Sequence, residues 1–413
     1  MTGPTENLVR EISASRGEPK WLTDWRIAAL HIWEKMDEPH WGEIDYAPID
    51  YATLNYYNRQ KPIDNSDLKS TYDKMGLPEG EQRALLGMAT DTVIDSSSVH
   101  TSYTAELSAR GIIFLPFSDG TFVYIPPNTE CPIDLASYFR IETAKIGQFE
   151  RTLIIADKNS KLSYMEGCSA PRRPNHQLHS GVVEIVALDG AHVKYATVQN
   201  WHAGDAPAPG AYNNTGILNF VTKRGKCYAN ARLDWTQFEV GSAMTWKYPS
   251  TILYGDNSAS DFYSLTITRG GQQSDTGTKM LHIGNNTISN ILSYGVSLDW
   301  SRQTFRSLVQ FFGHGGKNAS KCDTRIIGNE ATINALPNII YENSDNTQTH
   351  EATTGAIDAA QLLYLNMAGL DDDMATALII GSMATPILSR LPMEFLVESK
   401  QLIQMALNTG GKK

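Results

Sequence analysis

The chain has 413 residues, 41% of them hydrophobic, which is enough to bury a sizeable core in two or three structural regions. Its 45 acidic residues outnumber the 35 basic ones, and the net charge of −10 argues against the broad basic surface that nucleic-acid binding requires. The sequence contains no apolar run of 18 residues, and its first twenty residues lack the apolar core of a secretion signal. We therefore expect a cytoplasmic protein, or a stromal protein of an organelle, that binds neither nucleic acid nor membrane.

The N-terminal region, residues 1–110, is predicted to be helical and irregular. One group of apolar side chains recurs at intervals of three, four and seven residues: Leu22, Trp25, Ala29, Ile32, Trp33 and Met36. This spacing places them on one face of a helix. We expect that face to pack against something.

Residues 111–350 have a different pattern. Short runs rich in Val, Ile, Phe and Tyr, such as TFVYIP, RTLIIAD and VVEIVAL, alternate with turn signals for more than two hundred residues. This length exceeds that of an ordinary β-sandwich, and no exact sequence repeat is visible. The pattern predicts a mainly β region that forms a stacked solenoid or a barrel.

Residues 351–413 are predicted to be helical again. Phe395 and Leu402, and likewise Leu396 and Ile403, recur at a spacing of seven. The run ALIIGSMATPILSRLPMEFLVES has more apolar residues than two short helices can bury against each other. We therefore expect these helices to dock a partner protein.

Several common catalytic motifs are absent from the sequence. It contains no GxxxxGK[ST] phosphate-binding loop, so any dependence on ATP must come from a partner, and it contains no GxSxG or HExxH motif. The four cysteines, Cys131, Cys168, Cys227 and Cys322, lie 37, 59 and 95 positions apart, too far for zinc-finger or CxxC spacing. Any metal site must be assembled by folding, and a single cysteine taken alone is more often a buried core thiol than a reactive one.

Three places in the sequence combine potential metal ligands. They are Cys168 near Glu166, His176 and His179; Cys322 beside Asp323; and the adjacent pair His350 and Glu351. Thiolate, imidazole and carboxylate groups together suit iron or zinc. Adjacent residues of a strand point to opposite faces, so His350 and Glu351 cannot both face one interior unless a bulge or loop intervenes.

These residues lie in stretches that resemble the SufB type of the SufB/SufD family of iron–sulfur cluster assembly proteins. The matching stretches run in family order along nearly the whole chain and include GQFERTLIIAD, YMEGCSAP, LHSGVVEIVALDGAHVKYATVQNW, GILNFVTKRG, KCDT, HEATT and LPMEF. The resemblance implies a mainly β fold: a right-handed parallel β-helix core over 111–350, a helical N-terminal region, and a C-terminal helical segment that binds a SufC-type ABC ATPase.

The resemblance also implies the function. The protein would be a scaffold, not itself an enzyme, on which an iron–sulfur cluster of the 4Fe-4S type is built and passed to apo iron–sulfur proteins, with reduced flavin as a candidate cofactor. Sulfur would come as persulfide from a cysteine desulfurase with its sulfur carrier, and the second half of the complex would be SufD or a second SufB copy. A SufD-like structural subunit that holds no iron remains the alternative.

Residue roles follow from the same motifs. Cys322 in KCDT resembles the family's cluster ligand, and Glu351 and His350 in HEATT resemble its companions. Cys168 in EGCSAP resembles the acceptor of persulfide sulfur. The residues that match the family's internal sulfur route are Arg140, Gln199, Trp201 and Lys223.

The sequence departs from the family pattern at three places. Glu142 stands where the route usually has asparagine, so we expect Glu142 to pair with Arg140 or Lys223, or the route to differ. Thr349 replaces a usual glutamate before HEATT. A family segment of a few dozen residues is missing near residue 117, which should leave the start of the β-helix less covered.

A sulfur acceptor must be accessible and partly thiolate, and the sequence around Cys168 predicts both properties. The Pro-rich turn that follows should keep the thiol reachable, and four potential cations, Arg172, Arg173, His176 and His179, follow within eleven residues. We therefore expect Cys168 to be alkylated faster than Cys131 or Cys227.

Overall fold

The computed structural model describes residues 3–57, 68–74, 77, 79–117, 120–143, 147–391 and 393–407. The helices are α1 Glu6–Ser15, α2 Lys20–Trp33, α3 Leu68–Lys74, α4 Glu79–Leu86, α5 Thr104–Ser108, α6 Ala359–Met367, α7 Asp372–Leu388 and α8 Met393–Leu407. The first strands are β1 Ala89–Ile94, β2 Ser97–Thr101, β3 Ile113–Phe117, β4 Gly120–Ile125, β5 Leu135–Arg140, β6 Gln148–Ala156, β7 Lys161–Ser169, β8 His176–Ala187, β9 His192–Asn200 and β10 Gly216–Cys227. The remaining strands are β11 Arg232–Val240, β12 Met244–Leu253, β13 Ala259–Thr268, β14 Gln273–His282, β15 Ile288–Leu298, β16 Arg302–Phe311, β17 Lys317–Ile327, β18 Thr332–Tyr341 and β19 Thr347–Ala356.

The strands form two sheets between which the chain alternates. One sheet, called the odd-numbered sheet although it ends in β2, has the order β19-β17-β15-β13-β11-β9-β7-β5-β1-β2. The other sheet has the order β18-β16-β14-β12-β10-β8-β6-β4-β3. Every neighbouring pair is parallel except the β1–β2 and β3–β4 pairs at the start. The result is a parallel β-solenoid of about eight turns, which confirms the mainly β fold predicted from the sequence.

The turns of the solenoid are stacked through one repeated corner. A residue with positive φ occupies this corner in six successive turns: Asn128, Asn159, Gly190, Asn230, Asn257 and Asn286. The backbone N–H of each donates to a carbonyl of the next corner, as from Asn159 to Asp189 at 2.9 Å. Asparagine and glycine tolerate this left-handed conformation better than other residues. The turns therefore share asparagine or glycine at this corner, although no exact sequence repeat is visible.

Among the described residues, buried apolar side chains form four clusters, one of which contains Cys168 and Trp201. The other three lie along the solenoid, inside it or on its two sheets. The first of these three fills the solenoid interior and includes Tyr164, Trp235 and Phe262. In the second, α7 and α8 cover the outer face of the odd-numbered sheet. In the third, the irregular chain around Tyr46 packs on Trp246 of the other sheet.

The first 110 residues differ from the prediction in one way. They contain strands β1 and β2, which extend the odd-numbered sheet, in a region predicted to be helical and irregular. The apolar stripe of α2 is largely uncovered by the described chain: Leu22 is buried, but Trp25 is 48% and Ile32 62% exposed. The packing of the whole stripe stays a prediction.

Ile113 and Leu115 of β3 are both 40% exposed, in line with a less covered start of the solenoid. At the far end, β19 extends to Ala356, beyond the predicted boundary at 350. Among the helices that the structure describes, none combines the length and apolar content needed to cross a bilayer.

Candidate functional site

Two columns of buried, mostly polar side chains run through the interior along the odd-numbered sheet. In parallel strands, residues paired in register point to the same face. One column consists of Glu166, Thr197, Gln237, Ser264, Ser293 and Cys322, and the other of Cys168, Gln199, Glu239, Thr266, Gly295 and Thr324. The two cysteines thus face the same interior, five strand spacings or about 24 Å apart.

Cys168 lies inside the solenoid and not in an accessible turn. It is next to the last residue of β7, and only 1% of its surface is exposed. Burial raises the pKa of its thiol well above the ordinary value, and the carboxylates of Glu166 and Glu150 raise it further, while Lys223 and Lys247 oppose them. The expectation of a reachable, partly ionised thiol is therefore wrong for this conformation.

The expected cationic neighbours of Cys168 are also mostly elsewhere. Arg172 pairs with Asp205 at the surface, at 2.6 Å, and Arg173 donates to the backbone carbonyl of Glu142. His176 contacts the carbonyl of Gly216 at 3.2 Å. Proximity in sequence failed as a guide because the chain leaves the interior at the end of β7.

The cations that do accompany Cys168 are lysines of the opposite sheet. Lys223 on β10 is fully buried and donates to Glu166 Oε1 at 2.9 Å and to Thr197 Oγ1 at 2.7 Å. Its Nζ also lies 4.5 Å from the ring centre of Tyr195, whose hydroxyl donates to the other oxygen of Glu166. Burial raises the pKa of Glu166, but Lys223 and Lys247 outweigh it, so the carboxyl pKa is lowered.

A second buried ion pair joins Lys247 to Glu239, one strand farther along the same interior. A third pair places His179 Nε2 3.1 Å from Glu150 Oε1, with both side chains almost entirely buried. Burial lowers the pKa of His179, but the facing Glu150 carboxylate outweighs it and raises the pKa.

Of the remaining sulfur-route candidates, Gln199 and Trp201 lie beside Cys168, whereas Arg140 pairs in register with Ser169, the next residue of β7. Gln199 Nε2 is 3.9 Å from the Cys168 sulfur, and Trp201 packs in the same cluster. Arg140 donates to Ser169 Oγ at 3.0 Å and pairs with Glu142. Glu142 therefore pairs with Arg140, one of the alternatives expected from the sequence.

The three cluster-ligand candidates are only partly brought together. Cys322 and His350 share one face of neighbouring strands, because Ser320 pairs with His350 and Cys322 follows two residues later. Both ring nitrogens of His350 are buried, with no hydrogen-bond partner among the described residues. Glu351 points to the opposite face, where it pairs with Lys321 at 3.1 Å.

Burial raises the pKa of the Cys322 thiol to about 12. The strands beyond it, β18 and β19, have mainly exposed side chains, although they continue the solenoid. Among the described residues, no group of three potential ligands converges at Cys322. A complete metal site there would need ligands from elsewhere.

Sequence reasoning missed Glu150, Glu239 and Lys247 as interior residues. Alternation could not reveal Glu150, because the outward positions of β6 hold the apolar Phe149, Leu153 and Ile155, while Glu150 shares its inward face with Gln148 and Thr152. The pairing of these residues across the two sheets could not be read from one strand.

Comparison with known proteins identifies relatives along nearly the whole chain. A family model described as SUF system FeS cluster assembly, SufBD core domain, matches residues 139–383. An iron–sulfur cluster assembly SufBD family protein of Synechocystis is 41% identical over 98% of this chain and 93% of its own length. The chloroplastic protein ABCI8 of Arabidopsis thaliana is 40% identical over 98% and 80%, and a SufBD family protein of Staphylococcus saprophyticus is 34% identical over 98% and 93%.

The alignment with the Synechocystis protein spans 451 positions, 38 more than this chain has residues, so that relative has residues that this chain lacks. The family model covers the strands that hold both interior columns and extends into α7. With a family match over more than half of the chain and relatives aligned along nearly all of it, this protein belongs to the SufBD family of iron–sulfur cluster assembly proteins.

Proposed function

We propose that this chain is a SufB-type scaffold on which an iron–sulfur cluster is assembled, and not a SufD-like subunit without iron. The observation that carries the proposal is the polar interior between Cys168 and Cys322, because a purely structural solenoid would fill these inward positions with apolar side chains. Burying polar side chains costs folding free energy, and a route for sulfur through the interior would explain why these columns are polar.

Sulfur enters at Cys168 in this proposal. The sulfur of Cys168 attacks the outer sulfur of a donor persulfide, the S–S bond of the donor breaks, and the proton of Cys168 passes to the leaving donor thiolate. Cys168 then carries the persulfide, and the cations Lys223 and Lys247 stabilise its negative charge inside the solenoid. Because Cys168 is buried, the donor reaches it only when the surrounding chain opens.

The cluster is held at Cys322, with His350 as the companion that shares its face. The unpartnered ring nitrogens of His350 support this assignment, since a buried imidazole without a hydrogen bond is unusual. Glu351 faces away and would contribute only after rearrangement or from the other side of an interface. The exposed strands β18 and β19 suit docking of SufD or a second copy of this chain, which would supply the missing ligands.

Anaerobic reconstitution with ferrous iron and sulfide tests the assignment. We expect the wild-type chain to bind both and to show visible charge-transfer absorption. Cys322→Ser and His350→Ala should lower the bound iron and sulfide, whereas the buried Cys227→Ser should retain them. A wild-type chain that takes up no iron, alone or with SufD, would support the SufD-like alternative.

A further inference from the structure

A cysteine and two glutamates converge inside the solenoid beside the sulfur-acceptor position. The sulfur of Cys168 and one carboxylate oxygen each of Glu150 and Glu166 all lie within 4.8 Å of one another. Glu166 and Cys168 share the inward face of β7, and Glu150 reaches them from β6 of the other sheet. This is the one such group of three found in the part of the chain that the structure describes.

The oxygen Oε2 of Glu150 is buried and has no hydrogen-bond partner among the described residues. A buried carboxylate oxygen without a partner is costly, so its presence requires an explanation. The other oxygen, Oε1, lies 3.1 Å from His179 Nε2. A cation placed against Oε2 would remove the cost.

The other two groups also have capacity for a metal ion. Among the described residues, the Cys168 sulfur accepts one long polar contact, from Gln199 Nε2 at 3.9 Å. Glu166 accepts from Lys223 and Tyr195, but two carboxylate oxygens offer about four lone-pair positions, so it can keep these partners and still bind an ion. Lys223 and Tyr195 would then hold Glu166 in orientation, as outer partners of metal ligands do.

His179 has the hydrogen bonding typical of a metal-site histidine. Its Nδ1 lies 2.7 Å from Asn219 Oδ1, while the amide nitrogen of Asn219 donates to Gln199 at 2.6 Å, so Nδ1 carries the proton toward Asn219. Its Nε2 is buried, points toward Glu150 and makes no hydrogen bond of good geometry. A Cβ at Gly181 would stand 3.0 Å from Glu150 Oε1 and 3.3 Å from His179 Cε1, so the glycine leaves both side chains room to adjust.

We propose that Cys168, Glu150 and Glu166, flanked by His179, form a binding site for one divalent transition-metal ion of the ferrous type, separate from the cluster position at Cys322. One thiolate with two carboxylates suits Fe²⁺, Co²⁺ or Zn²⁺ and disfavours Mg²⁺ and Ca²⁺, which take oxygen ligands alone. Tetrahedral ligand atoms stand roughly 3.5 Å apart, so the three atoms need to close by about an ångström.

The site shares Cys168 with the proposed sulfur route but does not rest on it. A metal ion and a persulfide would compete for the same sulfur. Metal binding can be measured without any sulfur donor, and persulfide formation can be measured without metal. Failure of one therefore leaves the other open to an independent result.

The test is anaerobic titration of the metal-stripped full chain with Co²⁺ in a Cys322→Ser background, which removes the other candidate cysteine ligand. We expect one Co²⁺ per chain with thiolate-to-cobalt charge-transfer absorption, displaced by Fe²⁺ or Zn²⁺ and not by excess Mg²⁺. Cys168→Ala should abolish the absorption, and Glu150→Gln should weaken binding at least tenfold, because a lost ligand should cost no less than a lost outer partner. Cys131→Ser is the matched control and should bind Co²⁺ unchanged.

Thermal unfolding with and without Co²⁺ guards against variants that merely fold poorly, because a bound ion raises Tm only where it binds the native state. Cys168→Ala replaces a small buried thiol by a small apolar group and should fold even if Glu150→Gln does not. The proposal is overturned if no Co²⁺ binds, if charge-transfer absorption persists in Cys168→Ala, or if a folded Glu150→Gln chain binds Co²⁺ as tightly as its parent.

Discussion

At the scale of single residues, burial decides how the cysteines react. Alkylation needs a thiolate and access for the reagent. Cys131 is partly exposed, whereas Cys168 and Cys227 are buried with strongly raised thiol pKa values. The structure therefore predicts that Cys131 reacts before Cys168, the opposite of the order expected from the sequence.

We expect iodoacetamide to label Cys131 of the native chain first, with Cys168 and Cys227 labelled only under denaturing conditions. Mass spectrometry of the peptides over a time course measures this order. Cys227 serves as the internal control because it is buried and lies outside the proposed site. Rapid labelling of Cys168 in the folded chain, ahead of Cys131, would show that the interior opens readily.

The Lys223–Glu166 pair gives a second prediction at this scale. Burial lowers the pKa of Lys223, but its ammonium has two hydrogen bonds and a ring contact in compensation. Lys223→Met would leave Glu166 charged, buried and without its cation, and removing one partner of a buried pair costs about 3–5 kcal/mol.

Urea unfolding of Lys223→Met should show this loss of stability, while Lys194→Met, at an exposed position on β9, should unfold like the wild type. Adding Glu166→Gln to Lys223→Met should restore part of the loss, since the uncompensated charge is then gone. Equal stability of Lys223→Met and Lys194→Met would contradict the assignment of a charged interior pair.

At the scale of elements, the sequence predicted the β region well but not its internal contacts. The apolar runs and turn signals predicted the strands, but alternation along β6 does not identify its inward face, where Gln148, Glu150 and Thr152 lie. The asparagines at the repeated corner mark the length of a turn: Asn128 and Asn159 both have positive φ and lie 31 residues apart. Which inward residues meet depends on register between strands about thirty residues apart, and no local pattern encodes it.

For the helices, the sequence predicts the element but not what covers its apolar side chains. Periodicity placed a helix at α2, but periodicity cannot tell whether a partner covers its stripe, and Trp25 and Ile32 remain exposed. Trp33 of this stripe lines a cavity of about 730 Å³ together with Trp41 and Tyr51. Whether these side chains are buried depends on the partners that pack on α2, and the sequence of one chain does not determine that.

The C-terminal helices offer a prediction about the proposed ATPase partner. The inward side chains of α7, such as Ile380 and Ile387, cover the sheet. Leu363, Tyr364 and Leu378 remain exposed, and Tyr364 and Leu378 line a groove of about 590 Å³ between α6 and α7. These side chains are candidates for the apolar anchor of a partner.

Leu363→Glu combined with Leu378→Glu should weaken co-purification with the SufC-type ATPase at least tenfold, because a desolvated anchor contributes more than about 1.4 kcal/mol. Met405→Glu, at an exposed position on α8, is the control for a charge added elsewhere on the helices. Undiminished recovery of the ATPase with the double variant would place the docking surface elsewhere.

At the scale of the whole molecule, the solenoid separates two cysteines and joins them through one interior. Cys168 lies in an early turn and Cys322 close to the last one, near strands with exposed side chains. This separation would let sulfur arrive at one place and the cluster form about 24 Å away, at an edge where a second subunit can contribute ligands. In the proposed function, the two cysteines therefore have different, successive roles.

Cluster assembly with two sulfur sources tests that claim most directly. Iron and acid-labile sulfide are measured after anaerobic assembly, once with free sulfide and once with a cysteine desulfurase, its sulfur carrier and cysteine. We expect Cys322→Ser to lose the cluster with both sources, and Cys168→Ser to lose it only when sulfur arrives as persulfide. Wild-type iron and sulfide in Cys322→Ser, or unimpaired assembly from persulfide in Cys168→Ser, would contradict the account.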